Sequence, residues 1–356
     1  MTEQQTSARI RDRVRGCLAA GAAGDALGYA VEFSGEDRIF ARFGDGGIRA
    51  FAKDRLSGLA LISDDSQMTM FTAEGILNAG SRPFRKAVAD AYLDWLVTQE
   101  GSFEAFNRAL LDGESRRSDS MLLREPALYA NRAPGNTCLS ALWAAREEGD
   151  PSDLDYIAHP RNHSKGCGGV MRVAPAAFLP GASEAKICME AAQMAAVTHG
   201  NPLGWLPAAA LALMVRGMAF TDLPLRRLAQ RAMDTLRSEF GAFPQTEELC
   251  TLLSRALELA GQGGRDLANI HALGEGWVGD EALAIALYCA VRHEANLSAC
   301  LIAAVNHRGD SDSTGAVAGN LLGARVGFAA MDDRWKKDLE LLPQILELAD
   351  RLSEKL

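Results

Sequence analysis

Glycine recurs at every fourth position late in the chain, at 315, 319, 323 and 327, within HRGDSDSTGAVAGNLLGARVG (residues 307 to 327). In a helix a step of four returns to nearly the same face, so these glycines would form one stripe without side chains. Each costs roughly 1 kcal/mol of helix propensity relative to alanine. A segment that keeps four of them is expected to lie against another helix at very short range. The same spacing occurs in close-packed membrane helices, but Asn320, Arg325 and the aspartates ahead of the stripe argue against a hydrocarbon setting.

Helical periodicity dominates the remaining sequence. Apolar residues recur at three-to-four spacing in 86 to 99, 184 to 199, 281 to 294 and 338 to 352. Alanine is abundant and long β-branched runs are absent, which favours helix on side-chain entropy. The expected fold class is all-α, with a dozen or more helices and no repeat period. Three stretches rich in glycine or charge, 34 to 60, 112 to 136 and 261 to 280, read as long loops, which in a compact domain are usually functional.

Charge and cysteine usage narrow the function classes. With 46 acidic against 37 basic residues the net charge is −9, which disfavours a broad grip on nucleic acid. No run reaches the roughly 18 apolar residues expected of a transmembrane helix. Seven cysteines lack CxxC or metal spacing, and the N-terminal stretch is polar, so a cytoplasmic protein with reduced thiols is expected. Cys250, Cys289 and Cys300 are expected in the core.

Several polar stretches carry more charge than turns need. GAAGDALGYAVEF (21 to 33) places Asp25 and Glu32 in an otherwise apolar helix. Ser63, Asp64 and Asp65 precede one apolar helix, and Asp310, Asp312 and Ser313 precede another. N-capping accounts for either alone, since such side chains satisfy free amides at the positive end of the helix dipole. Two acidic helix starts in one chain also suit a cluster of hard oxygen ligands, and two cations so held can bind a diol and activate water. An EF-hand is excluded because the twelfth loop position after Asp310 is Leu321 rather than Glu. The loop SKGCGGV (164 to 170) could let backbone amides approach an anion, though a tight turn explains it equally, and no Walker A motif follows. His199 ends an apolar helix, and Trp277 sits in a glycine loop where it could cover a base or simply pack.

Taken in order, GDALGYAVEF, SDDSQMT, APGNTCLSAL, SKGCGGVMRVAP, THGNP, GEGWVGDEALAIALY and GDSDSTGAVAGNLLGA resemble the ADP-ribosylglycohydrolase family over nearly the whole chain. The departures exchange Thr for Ser at 66, 311 and 313, which keeps the hydroxyl. The resemblance implies one domain over 1–356, with a short polar segment at 1–10, folded as an orthogonal all-α bundle with a binuclear metal cleft. Two Mg²⁺ ions, replaceable by Mn²⁺, would be held by Ser63, Asp64, Asp65, Asp310, Asp312 and Ser313. Asp64 or Asp65 would act as base, with Glu32 a mobile carboxylate able to approach the metals. Ser164, Lys165, Gly166, Cys167, Gly168, Gly169 and Val170 would form the pyrophosphate and ribose loop. His199 would contact the phosphates, and Trp277 would lie near the base.

The activity so implied is metal-assisted hydrolysis of the bond from ADP-ribose to a protein side chain, foremost arginine. The implied partners are an ADP-ribosylated protein and ADP-ribose. The same family also implies two alternatives: cleavage of serine-linked or O-acetyl-ADP-ribose, and a non-catalytic blocking protein. Some members serve as immunity proteins, which would make an ADP-ribosyltransferase toxin a partner.

Overall fold

The computed structural model describes residues 3–112, 120–149 and 154–356. These residues form fifteen α-helices and no strand. In chain order they are α1 (Glu3–Tyr29), α2 (Glu36–Phe43), α3 (Asp64–Leu77), α4 (Phe84–Glu100), α5 (Phe103–Leu111), α6 (Asn136–Glu148), α7 (Glu184–Ala196) and α8 (Pro202–Phe220). There follow α9 (Leu225–Phe240), α10 (Gln245–Gln262), α11 (Asp266–His271), α12 (Gly279–Arg292), α13 (Leu297–Val305), α14 (Ser311–Val326) and α15 (Leu342–Ser353). The all-α expectation holds, although α8 and α14 are buried on nearly every residue rather than along one stripe.

The glycine stripe has found its partner. α1 and α14 run antiparallel, and a Cβ on Gly315 would lie 2.5 Å from the Gly24 carbonyl oxygen, one on Gly319 2.1 Å from that of Ala20, and one on Gly323 2.2 Å from that of Gly16. In return, a Cβ on Gly28 would meet the Ser311 carbonyl oxygen at 2.2 Å. The partner stripe is therefore Gly16, Ala20, Gly24 and Gly28, on the same four-residue step. Gly327 departs from the expected pattern: it takes φ 78 and ends α14 rather than extending the stripe inside it.

Two of the expected long loops contain helices. α2 lies within 34 to 60 and α11 within 261 to 280. α2 anchors on one buried residue, Ile39, and α11 likewise on Ile270, so neither has enough turns for its period to stand out beside flanking glycines. The 112 to 136 stretch holds two short 3₁₀ turns, Leu122–Arg124 and Pro126–Leu128, and its residues 113–119 lie outside the described residues.

α8 corrects a further expectation. It is long and apolar enough to cross a membrane by length and composition, yet 83% of its apolar window is buried inside the protein. Its apolarity is that of a core helix wrapped by α7, α9, α10, α12 and α14. Cys250, Cys289 and Cys300 are buried as expected.

Candidate metal centre and active-site cleft

The antiparallel pairing of α1 and α14 brings the end of one helix beside the start of the other, and the acidic residues follow from this. α1 stops at Tyr29, not beyond Glu32 as its apolar pattern suggests. Tight turns, with Val31 N–H donating to the Gly28 carbonyl at 2.8 Å and Ser34 N–H to that of Val31 at 2.8 Å, fold the chain back over the α14 start. Carboxylate oxygens of Glu32, Asp310 and Asp312 consequently lie within 4.8 Å of one another. Asp310 caps α14, accepting from Ser313 N–H at 3.2 Å, and Asp312 accepts from the same amide at 3.0 Å.

α3 delivers the second acidic pair. Ser63 caps it by accepting from Asp65 N–H at 3.2 Å. Asp25, fully buried on the last turn but one of α1, clamps this helix start: it accepts from Ser63 N–H at 3.0 Å, from Ser66 N–H at 3.1 Å and from the Ser66 hydroxyl. Its role was not legible as that of a site residue, because an aspartate in an apolar helix shows charge but not its recipient. Asp25→Asn leaves one oxygen to accept and turns an amide donor against Ser63 N–H, and is expected to weaken Mg²⁺ binding by about 10- to 100-fold, the scale of lost outer contacts to ligands. Calorimetric titration checks this; unchanged affinity would show that α3 is held in place without the clamp.

Burial raises every one of these carboxyl groups, and like-charge repulsion adds to it in Asp25, Glu32, Asp64, Asp65 and Asp310. Burial comes first for Glu32, followed by Asp312, Asp310 and Asp64, and together they push it up to about 10. Asp25 is pushed up to about 7, by burial and then by Asp312. Asp64, Asp65 and Asp310 are also raised well above the usual range by burial first, and in each the strongest like-charge neighbour is Asp312. Asp312 is thus the electrostatic centre of the cluster. Arg132, on the segment whose Gly135 N–H meets Asp64 at 3.3 Å, is committed instead to Glu340 at 3.2 Å.

A cation fits this donor set. Glu32 Oε2 and Asp65 Oδ2 are buried with no hydrogen-bond partner, and the donors are hard oxygens converging from three segments. The cluster forms one wall of a cleft of about 300 Å³, which Glu32, Asp64, Asp65, Asp310, Asp312 and Ser313 all line. Ser63 lies just behind, fully buried.

The glycine loop lines the same cleft. Gly166, Cys167 and Gly168 line the cleft, and the Cys167 thiol donates to Asp310 Oδ2 at 2.7 Å. A Cβ on Gly168 would lie 2.8 Å from His199 Cε1 and 2.9 Å from Cys138 Sγ, so only glycine lets the loop pass here. The other loop residues serve packing: Val170 is in the core, a Cβ on Gly169 would meet the Gly204 carbonyl oxygen of α8 at 2.4 Å, the Lys165 carbonyl accepts from Gly279 N–H at 2.8 Å, and Ser164 Oγ accepts from Gly166 N–H at 3.2 Å. Cys167 N–H donates to the Trp277 carbonyl at 3.2 Å, tying this loop to the next.

His199 and Trp277 both reach the cleft. Burial, and then Arg172, lower His199 to about 3, so it is a neutral imidazole. Trp277 does not stand alone at the mouth. Phe33, the residue after Glu32, lies nearly parallel to it, with ring centroids 6.2 Å apart and planes 21° apart, and is 71% exposed. A lone exposed Phe carries no signal in sequence, so its role emerges only from the geometry.

An all-α scaffold thus concentrates buried carboxylates, two with unpartnered oxygens, on the wall of a cleft that a glycine loop also lines. The ADP-ribosylglycohydrolase family model matches residues 6–356, and the chain belongs to that family. It is 24% identical over 347 residues to the uncharacterized protein YegU of Escherichia coli (strain K12), covering 94% of this chain and 93% of that one. It is 26% identical over 351 residues to an uncharacterized protein of Archaeoglobus fulgidus, covering 97% of each. A solved ADP-ribosylglycohydrolase-related protein complex superposes with a TM-score of 0.64 at 25% identity, over 98% of this chain and 99% of that one.

Proposed function

We propose that this protein removes ADP-ribose from arginine side chains of modified proteins, using two Mg²⁺ ions for which Mn²⁺ can substitute. The observation that carries this reading is the convergence of buried carboxylates, two with orphaned oxygens, on one cleft that a glycine loop also lines. Ser63, Asp64, Asp65, Asp310, Asp312 and Ser313 would hold the ions, which when bound supply Lewis acidity toward a ribose diol and a water of lowered pKa. Asp64 or Asp65 would serve as the general base. Glu32, on its turn beside the cluster, faces the leaving group. The glycine loop and His199 receive the pyrophosphate.

Arginine is favoured by the cleft mouth. Phe33 and Trp277, stacked on each other, line the same cleft as Glu32, and a planar guanidinium cation is attracted both to aromatic faces and to a carboxylate. Incubation with ADP-ribosylated arginine, ADP-ribosylated serine and O-acetyl-ADP-ribose, each with Mg²⁺ and with EDTA, tests linkage and metal together. Arginine-linked substrate is expected to be cleaved at least about tenfold faster than the others, with activity abolished by EDTA. Equal rates on all three would sink the arginine reading, and activity surviving EDTA would sink the metal reading.

A further inference from the structure

Behind the cleft sits a guanidinium that, among the described residues, has no carboxylate against it. Arg172 is fully buried and, among the described residues, its hydrogen bonds run to neutral groups only. Nη2 donates to Thr198 Oγ1 at 2.6 Å and to the Met194 carbonyl at 3.4 Å, while Nη1 faces Cys138 Sγ at 3.3 Å and Met68 Sδ at 3.5 Å. Its carbon lies 4.2 Å from the centre of the Tyr92 ring. A buried cation without an anionic partner is costly to keep, and here its shortest contact leads toward the cleft.

We propose that Arg172 and Thr198 are positioning residues that hold His199 as the neutral tautomer protonated on Nε2, so that the cleft presents an N–H donor to an anionic group of the ligand. Arginine has donors and no acceptor. The Thr198 hydroxyl that accepts from Arg172 must therefore direct its own proton elsewhere. His199 Nδ1 stands 2.8 Å from that oxygen. The other acceptor nearby, Cys138 sulfur, is weak and already faces Nη1. Nδ1 thus accepts, and a neutral imidazole with an accepting Nδ1 carries its proton on Nε2.

Nε2 makes no hydrogen bond within the protein among the described residues, and His199 lines the cleft. A Cβ on either Gly166 or Gly168 would come within 3.2 Å of Nε2, so both glycines leave its approach clear. The guanidinium polarises the hydroxyl that donates to Nδ1, which strengthens that bond. It also opposes a second proton on the ring. The donor is in this way neutral, fixed in direction and separate from the carboxylates that line the same cleft.

The nature of the anion, a pyrophosphate, rests on the ADP-ribose reading above; the tautomer does not. Both are read in one set of samples. Two-dimensional ¹H–¹⁵N NMR of histidine-labelled protein in EDTA, with the His199 signal identified by its loss in His199→Gln, is expected to show a protonated Nε2 and an unprotonated Nδ1. Thr198→Val keeps the side-chain shape and removes the relay. It is expected to mix or invert the tautomer and to weaken metal-free ADP-ribose binding roughly fivefold, the scale of one hydrogen bond. Thr198→Ser is expected to restore the tautomer and an affinity within about twofold of the parent. A proton on Nδ1 in the parent protein, or a tautomer unchanged in Thr198→Val, would overturn the relay. An Nε2-protonated parent with no affinity for ADP-ribose would leave the relay standing and overturn the ligand reading instead.

Discussion

Asp312→Asn is expected to lower hydrolysis by at least about 10²-fold while making the metal-free protein more stable. The first effect follows from removing a donor at the centre of the carboxylate cluster, where even loss of an outer contact to a metal ligand costs 10- to 100-fold. The second follows from the sign of the pKa shifts. Asp25 near 7 and Glu32 near 10 lie above the ordinary range of about 4 for carboxylic acids, so the folded state without metal retains protons that the unfolded chain releases. Their contribution to stability is therefore present below pH about 4 and is lost as pH rises through 7 toward 10. Asp312 is the strongest like-charge neighbour of both, so neutralising it reduces this loss.

Thermal unfolding at pH 8 in EDTA reads the difference directly, with Asp312→Asn melting above the parent. Saturating Mg²⁺ is expected to raise the melting temperature of the parent by several degrees, since a ligand at a hundred times its Kd adds about 2.7 kcal/mol. The variant should show little of this rise. A variant that keeps both hydrolysis and the Mg²⁺-dependent rise would remove Asp312 from the centre of the site. A site that destabilises its own scaffold until it is loaded is what a concentration of like charge for function produces.

Much of this arrangement could be read before any coordinates, and the reasons differ by element. Long helices announce themselves because apolar residues recur at three-to-four spacing over many turns, as in α4, α7 and α12. The two acidic helix starts were equally visible, since Ser63 and Asp310 are both caps and carry acids beside them. What stayed hidden depends on which surfaces meet. Glu32 reaches the cluster only because α1 ends three residues earlier and the chain turns back. Asp25 grips amides of α3 some 40 residues away in sequence. Arg172 orders the ring of His199 through a hydroxyl, and no spacing rule connects positions 172, 198 and 199. One feature was present in plain view: Gly16, Ala20, Gly24 and Gly28 follow the same step of four as the stripe they complement. Two stripes of equal step in separate helices are a signature of mutual close packing.

That seam carries the other large expected effect. Gly319→Ala adds one methyl whose carbon would stand 2.1 Å from the Ala20 carbonyl oxygen, a backbone atom with no freedom to swing aside. The helix propensity gained is about 1 kcal/mol, and forced overpacking typically costs 1–3 kcal/mol, so the net expectation is destabilisation. Gly319→Leu should lose about 3 kcal/mol or more. Gly261→Ala in α10 is the control: that glycine is exposed, a Cβ there would meet nothing nearer than Arg226 Nη2 at 3.5 Å, and the change should stabilise by up to about 1 kcal/mol. The seam does more than hold two helices together. It sets the register that places Gly28 against Ser311 and hence the turn bearing Glu32 over Asp310 and Asp312. Asp25, on the same helix, fixes α3 to that frame. Prying α1 from α14 therefore moves three of the segments that bring acids to the cleft, and Gly319→Ala is expected to weaken Mg²⁺ binding beyond what partial unfolding explains, measured well below the melting temperature. Lost stability with unchanged Mg²⁺ affinity would reduce the seam to ordinary packing, and unchanged stability would deny the close approach itself.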